Sequence, residues 1–351
     1  MSVKLKLTIM KKVNWFVVCG LILLGACFAA CSDDDNGGGW DGESAVVDAH
    51  DYDIWTYFNF KTGETKTLNV KSQEGGITGI YTGDLGISVM GSSYGGQEDV
   101  KLIISTVTAD TVLLSLDSLG FSMSGEVDPY SLSAKATIKQ NGDKWVLTGV
   151  PTDVDVVNGG EITVYHEVTF SGEIGAAAGS AASIKVTFKP GGMPMAITGT
   201  YTVKDRDNKV YMLEGDETSF AWDIAFHKYD VKTNGGAAVK LNTTDLALVT
   251  ASSISGESFA TDTDGHQVMV DMSKMMEGFV GYQTTKLNEV LCGWVTATPT
   301  GSMPPYTYEL NSNVFVVRTA DGQYAKVKFT DYSNDKNVKV YAAFDYEFPL
   351  K

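Results

Sequence analysis

The residues with the most distinctive chemistry are thioethers. Met269, Met272, Met275 and Met276 place four of the chain's twelve methionines within eight residues, in the run VMVDMSKMMEGF, and Met303 stands alone in GSMPPY. A thioether is soft, neutral and polarizable, so it can fill an irregular core gap or meet a soft, apolar ligand. Alternation through residues 267–272 puts Val268, Val270 and Met272 on one face and Met269 with Asp271 on the other, which reads Met272 as core. The following Ser273-Lys274-Met275-Met276-Glu277-Gly278 breaks the period and ends in glycine, so Met275 and Met276 belong to a loop or a single helical turn. A loop offers little core to two large apolar side chains, and that favours a functional reading. Met303 precedes two prolines, which confine it to extended geometry and stiffen its loop.

The four histidines do not form an evident pair. His227 lies on a strand by alternation and reads as a hydrogen-bonded structural residue. His50 falls in the N-terminal strand region, His166 in the middle of the chain, and His266 follows Asp264-Gly265 in a turn. Familiar enzyme signatures do not appear. Gly91-Ser-Ser-Tyr-Gly95 lacks the strand-to-helix context of a nucleophile elbow. Asp262-Thr-Asp-Gly265 and Asp205-Arg-Asp-Asn208 are short acidic turns without the spacing of a calcium loop. With no P-loop and no dinucleotide fingerprint, the chain reads as a binding protein and not an enzyme.

The elements that must position these residues are strands. The chain has 351 residues, with 43% hydrophobic and 20% charged residues and 37 glycines, a composition of many short strands joined by tight turns. Lys4, Lys6, Lys11 and Lys12 precede an apolar run over residues 13–30, which reads as a secretory signal and not a span. Phe28-Ala29-Ala30-Cys31 resembles the lipobox of bacterial lipoproteins, with Leu24-Gly25-Ala26-Cys27 as the alternative. The Ser-Asp-Asp-Asp run after Cys31 resembles the surface-export signal of Bacteroides-type lipoproteins, so lipidation is expected at Cys31 and a solvated tether over 31–45. Without residues 1–30, 23 basic residues face 43 acidic ones, a net charge of −20 that excludes nucleic acid as a partner. Cys292 is then the only cysteine left for the fold, which rules out a disulfide framework, and it reads as a buried thiol.

Strand-like runs cover 101–108, 112–116, 132–138, 145–150, 161–171 and 183–188, with Asn141-Gly142 and Asn158-Gly159 as hairpin turns. They predict an up-and-down antiparallel barrel or sandwich. Later hairpins are expected over 314–319 and 324–330, around Asp321-Gly322, and a last strand over 338–348. A short helix is predicted at 285–295, where Leu287, Val290, Leu291 and Trp294 have helical spacing. Residues 46–70 and those beyond 199 share an aromatic-rich texture, which suggests one domain at 46–74 and 196–351 with residues 75–195 inserted.

Three stretches carry a family resemblance: residues 55–65 (WTYFNFKTGET), 222–236 (WDIAFHKYDVKTNGG) and 314–332 (VFVVRTADGQYAKVKFTDY). Together they resemble the HmuY-like family of haem-binding lipoproteins from Bacteroidetes. The segment opening GIYTGDLGISV at residue 79 is similar to calycin-like domains of Bacteroides lipoproteins. The resemblance implies an all-β, mostly antiparallel fold with one or two short helices, interrupted by a calycin-like barrel or sandwich. It also implies haem held by two side chains on loops, and transfer to an outer-membrane TonB-type receptor. On this chain the ligands fall on Met276 and Met303, with Met275 and His266 as alternatives. Phe279, Tyr282, Trp294 and Tyr306 are expected around the haem, with Tyr308 nearby, and Lys274 and Lys286 near the propionates.

Overall fold

The computed structural model describes residues 42–120, 129–158, 161–177 and 182–351. Cys27 and Cys31, the candidate lipidation sites, lie outside them. The fold opens with β1 (Glu43–Asp48), β2 (Ile54–Phe58) and β3 (Thr65–Val89). A meander follows: β4 (Ser92–Thr108), β5 (Thr111–Leu119), β6 (Tyr130–Asn141), β7 (Lys144–Gly149), β8 (Thr152–Asn158), β9 (Glu161–Gly175), β10 (Ala182–Pro190) and β11 (Ile197–Leu213). Four short strands come next: β12 (Ile224–His227), β13 (Asp230–Thr233), β14 (Ala237–Lys240) and β15 (Ala260–Thr261). Two hairpins flank a single helical turn: β16 (Thr263–Asp271) with β17 (Gly281–Leu287), then α1 (Glu289–Cys292), then β18 (Val295–Pro299) with β19 (Tyr306–Leu310). The chain finishes with β20 (Val314–Arg318), β21 (Tyr324–Ser333) and β22 (Lys339–Glu347).

The fold is all-β, as the residue pattern predicts. Antiparallel pairing runs from β3 through β4, β5, β6, β7, β9, β10 and β11, and β11 pairs back onto β3, so that eight strands close a ring. Alternation decides what fills it. Val112, Leu114 and Leu116 of β5, Leu132, Ala134 and Ala136 of β6, and Ile184, Val186 and Phe188 of β10 all point into one core. Closure leaves no open sheet edge on this ring. Its interior is occupied by side chains, and two buried phenols are satisfied there: Tyr81 donates to Ile77 O at 2.6 Å and Tyr201 to Val100 O at 2.8 Å.

A second core, drawn from residues 47–60 and 224–346, sits on the six-stranded sheet β1-β22-β21-β20-β14-β15. The strand β3 joins the ring to the short strands β2, β12 and β13 in one continuous sheet. Its first half pairs with β2, its second half with β4, and β11 follows it along both halves. The ribbon breaks register at two places, between Val203 and Asp205 and, more widely, where Asn208 faces Gly79 but Lys209 faces Glu74, so residues 75–78 bulge out of β3. Gly75 and Gly76 there have φ of +125° and +78°, and a Cβ at Gly76 would lie 2.6 Å from Val210 Cγ2.

The predicted helix at 285–295 is shorter than its periodicity suggests. Residues 281–287 are strand because Gln267 and His266 of β16 pair with Thr284 and Thr285. Only Glu289–Cys292 is helical, capped by Asn288, whose Oδ1 accepts from Leu291 N at 3.1 Å. β-branched threonines favour the ladder, and the buried residues Leu291 and Trp294 satisfy the apolar spacing from one turn. The tether expected to reach residue 45 stops earlier, since β1 already pairs Glu43 with Tyr346.

Candidate functional site

Both candidate loops are hairpin tips. The β16–β17 tip folds through one 3-10 turn, Met275–Glu277, which Gly278 ends at φ +88° with its N–H on Met275 O. Ser273 N donates to Asp271 Oδ1 at 2.8 Å and starts that turn. The tip leans on the strand ring. Phe279 is buried with Ile80 and Ile103, Lys101 Nζ donates to Glu277 O at 2.7 Å, and Lys274 pairs with Asp207. The lysine holds the Asp207 carboxyl below its usual range. The anchors use up Phe279 and Lys274, while Met275 is 48% exposed and Met276 93%. Met272, expected in the core, is half-buried. It borders a cavity of about 280 Å³ with Tyr52, Val270 and Tyr211.

The β18–β19 tip is closed by Thr300, whose N–H reaches Pro305 O at 2.9 Å and whose hydroxyl reaches Ser302 O at 2.9 Å. Met303 at this tip is 87% exposed. Behind it stands a cluster of tyrosines. The Tyr308 ring lies 4.6 Å from Tyr229, 6.5 Å from Tyr306 and 6.4 Å from Tyr332, and Tyr229 in turn rests 5.9 Å from Trp294. Burial and neighbouring phenols push the Tyr229 and Tyr308 hydroxyls up, so both stay neutral at physiological pH. Lys228 Nζ stands 4.0 Å over the Tyr52 ring, and desolvation lowers the affinity of its amine for a proton. Tyr52, Tyr306 and Tyr308 are exposed at 38%, 46% and 36%, an aromatic shelf on the surface.

The remaining expected residues separate. Trp294 is fully buried between Phe226 and Phe329, its N–H on Tyr229 O at 3.0 Å, so it supports the shelf from inside the core. Tyr282 is half-buried on β17 and faces a different cavity. His266 sits in β16 opposite Thr285, away from the methionine tip, with Nε2 2.7 Å from Thr263 Oγ1. Lys286 faces Asp264 at 3.5 Å, at that same far end. His227 is buried, with Nε2 2.8 Å from Tyr52 O and its ring against Trp55, the structural role its pattern suggests. His50 is held by Asp48, and His166 by Asp153. Among the described residues no three His, Cys, Asp or Glu side chains gather into a metal site. Met276 and Met303 thus present exposed thioethers at the two candidate tips, and Met90 in the β3–β4 turn is exposed as well, at 82%.

The shelf residues Tyr52, Lys228 and Tyr229 escape a reading of the sequence. Lys228 and Tyr229 form the turn between β12 and β13, where Lys228 takes a φ of +54°. The contacts that bring Tyr52 to Lys228 and Tyr308 to Tyr229 cross 176 and 79 residues and leave no local pattern.

The family model described as HmuY protein matches residues 51–346. No curated protein matches the chain. Similar solved structures include the apo HmuY analogue of Tannerella forsythia, 20% identical over 88% of this chain and 96% of that one, with a TM-score of 0.41. Apo PinO from Porphyromonas gingivitis is 17% identical, with 89% and 99% of the two chains covered and a TM-score of 0.43. A protein of Bacteroides vulgatus ATCC 8482, described as HmuY-like and haem-binding, is 18% identical over 88% and 93%, with a TM-score of 0.40. The family match covers most of the sequence, from the start of the aromatic N-terminal segment through both hairpins to β22, and the chain belongs to the HmuY family.

Proposed function

We propose that the protein is a lipoprotein that binds haem at the cell exterior, through Met276 and Met303, with Met275 as the alternative to Met276. The observation that carries this reading is the exposure of the two thioethers, 93% and 87%, each at the tip of a hairpin and neither absorbed by packing. Exposed methionine gives up apolar burial, and a thioether at each tip is free to meet a soft, apolar ligand. The tyrosines on the Met303 hairpin suit a flat apolar macrocycle, because a phenol offers an aromatic face and a polar edge. Bound haem would supply an iron centre, and thioether donors favour its ferrous form and raise its potential. Lys274 is already paired with Asp207, whereas Lys228 beside Tyr52 donates to the His50 carbonyl and is in no ion pair with a carboxylate among the described residues, so it is the better cationic neighbour for a propionate.

Lipidation at Cys31, or at Cys27, would tether the fold to the outer membrane, and handover to a TonB-type receptor would complete the acquisition of haem. In this reading residues 75–195 form an inserted calycin-like domain within the domain made by 46–74 and 196–351. Haemin titration under oxidising and reducing conditions tests the haem reading. A Soret band that strengthens or shifts on reduction, and weakens in the Met276→Ala/Met303→Ala double variant, supports it. A flat titration in both redox states sinks it.

A further inference from the structure

A cavity of about 420 Å³ opens at the end of the β16–β17 hairpin away from Met276, between β13, the start of β16 and the last residues of β17. Glu217, Trp222 and Lys232, half-buried or buried, form its base, and the exposed Asn234, Asp264 and Lys286 form its rim. The base is held from behind. Glu217 Oε2 accepts the Tyr57 O–H at 2.9 Å and pairs with Lys232, whose Nζ lies 4.5 Å from the centre of the Trp55 ring. The Trp222 indole N–H donates to Glu217 O at 2.9 Å, and Asn234 Nδ2 donates to Trp222 O at 2.9 Å. These bonds orient both side chains and leave Glu217 Oε1 and Asn234 Oδ1 as acceptors with no partner among the described residues. The charges of the wall balance one another. Lys232 neutralises Glu217, Lys286 stands 3.5 Å from Asp264, and Asp262 takes the Thr233 N–H at 2.7 Å and the Asn288 amide at 3.1 Å. A neutral molecule leaves these pairs intact, whereas an ion or a zwitterion has to compete with them. The volume falls within the roughly 300–1,000 Å³ of ligand sites, but the lining is polar where such sites are mostly apolar, so the occupant is itself rich in hydrogen-bonding groups.

We infer that this cavity binds a neutral, polyhydroxylated molecule, a mono- or disaccharide. A hydroxyl both donates and accepts, which suits a wall that sets free acceptors beside a lysine. Sugar hydroxyls donate to Glu217 Oε1 and Asn234 Oδ1, and another accepts from Lys286 Nζ. The site is separate from the methionine tips and does not depend on haem.

Isothermal titration of the whole protein with maltose, cellobiose, lactose and chitobiose tests this, with spermidine, citrate and glutamine as charged or zwitterionic probes. At least one disaccharide should bind at millimolar concentration and shift the Asn234 side-chain amide resonances in a ¹H–¹⁵N spectrum, while the charged and zwitterionic probes bind more weakly. Glu217→Gln keeps the shape of the side chain and removes its charge. That variant and Lys286→Ala should each weaken saccharide binding by about tenfold, the effect of losing a hydrogen bond to a charged group. Should Glu217→Gln fail to fold, Lys286→Ala, at an exposed position, decides. Met276→Ala/Met303→Ala should leave saccharide binding unchanged, which separates this site from the haem reading. If no disaccharide binds at millimolar concentration, if spermidine, citrate or glutamine binds as tightly as the best of them, if the Asn234 signal stays still, or if Lys286→Ala binds like wild type, the proposal is overturned.

Discussion

Lys101 Nζ of β4 donates to the carbonyl of Glu277 at 2.7 Å and so ties the methionine-bearing tip to the strand ring. The bond crosses 176 residues of sequence, and it gives the ring a role in holding Met276. Phe279 makes the apolar half of the same joint. Phe279→Ala should therefore lower stability by about 3–4 kcal/mol in a denaturant melt, through lost burial and a cavity. The same substitution should loosen the tip, seen as faster amide exchange over residues 273–280 than over β20. Unchanged exchange at the tip would show that the Lys101 and Lys274 contacts hold it on the ring without Phe279.

Met276→Ala and Met303→Ala should each leave the folding midpoint almost where it was. Both side chains are largely exposed, and such positions shift stability by no more than about 0.5 kcal/mol. Any effect on a Soret titration then reports on ligation and not on folding. Met275→Ala, at a half-exposed position beside them, serves as the comparison. A larger loss of haem absorbance in Met275→Ala than in Met276→Ala would exchange their roles.

Trp294→Ala should behave in the opposite way. Its ring is fully buried, so truncation should cost about 3–5 kcal/mol. Any loss of haem binding in this variant should track the loss of fold, and near-ultraviolet circular dichroism together with a thermal melt would show it. A variant that melts normally but fails to bind haem would instead give Trp294 a direct part.

Acid should undo the Asp207–Lys274 joint. Lys274 lowers the pKa of Asp207 below its value of 3.8 in the unfolded chain. Its contribution is therefore fully present above pH 3.8 and disappears as pH falls through the lower folded value. The stability difference between wild type and Asp207→Asn should stay constant from about pH 5 to 7 and shrink below pH 3.8. Urea melts across that range measure it, and a difference that does not change with pH would show that the pairing adds nothing.

Cys292 should be inert in the native state. Burial pushes its thiol up to about 12, and Sγ takes the Val231 N–H at 3.2 Å. In a chain begun at Ser32 it is the only cysteine, so a disulfide-exchange reagent should label it only on unfolding. Cys292 is half-buried, and prompt labelling at pH 8 without denaturant would contradict the raised thiol.

Much of this fold is legible in local pattern. The alternation in VLLSL and SLSAKA places the buried faces of β5 and β6, and Asn141-Gly142 and Asp321-Gly322 mark turns whose glycines have φ of +62° and +84°. Alternation has a period of two and needs no distant partner to be read. The 285–295 segment shows the limit: helical spacing of four apolar residues suits a strand followed by one turn equally well, and pairing with β16 chose between them. The predicted pocket aromatics show the same limit, because type and position in sequence do not say whether Phe279 meets solvent or Ile103.

By itself, then, the sequence determined the class of fold, the run of strands, the two methionine loops and the family that the chain resembles. Tertiary structure decided that β11 returns to β3 and closes the ring, and that the Met276 tip is docked on it. It decided as well that Tyr52, Tyr229 and Tyr308 gather behind Met303. The reason is physical. Side-chain alternation and turn preference act over a few residues, whereas ring closure and docking are decided by the burial of surfaces more than a hundred residues apart.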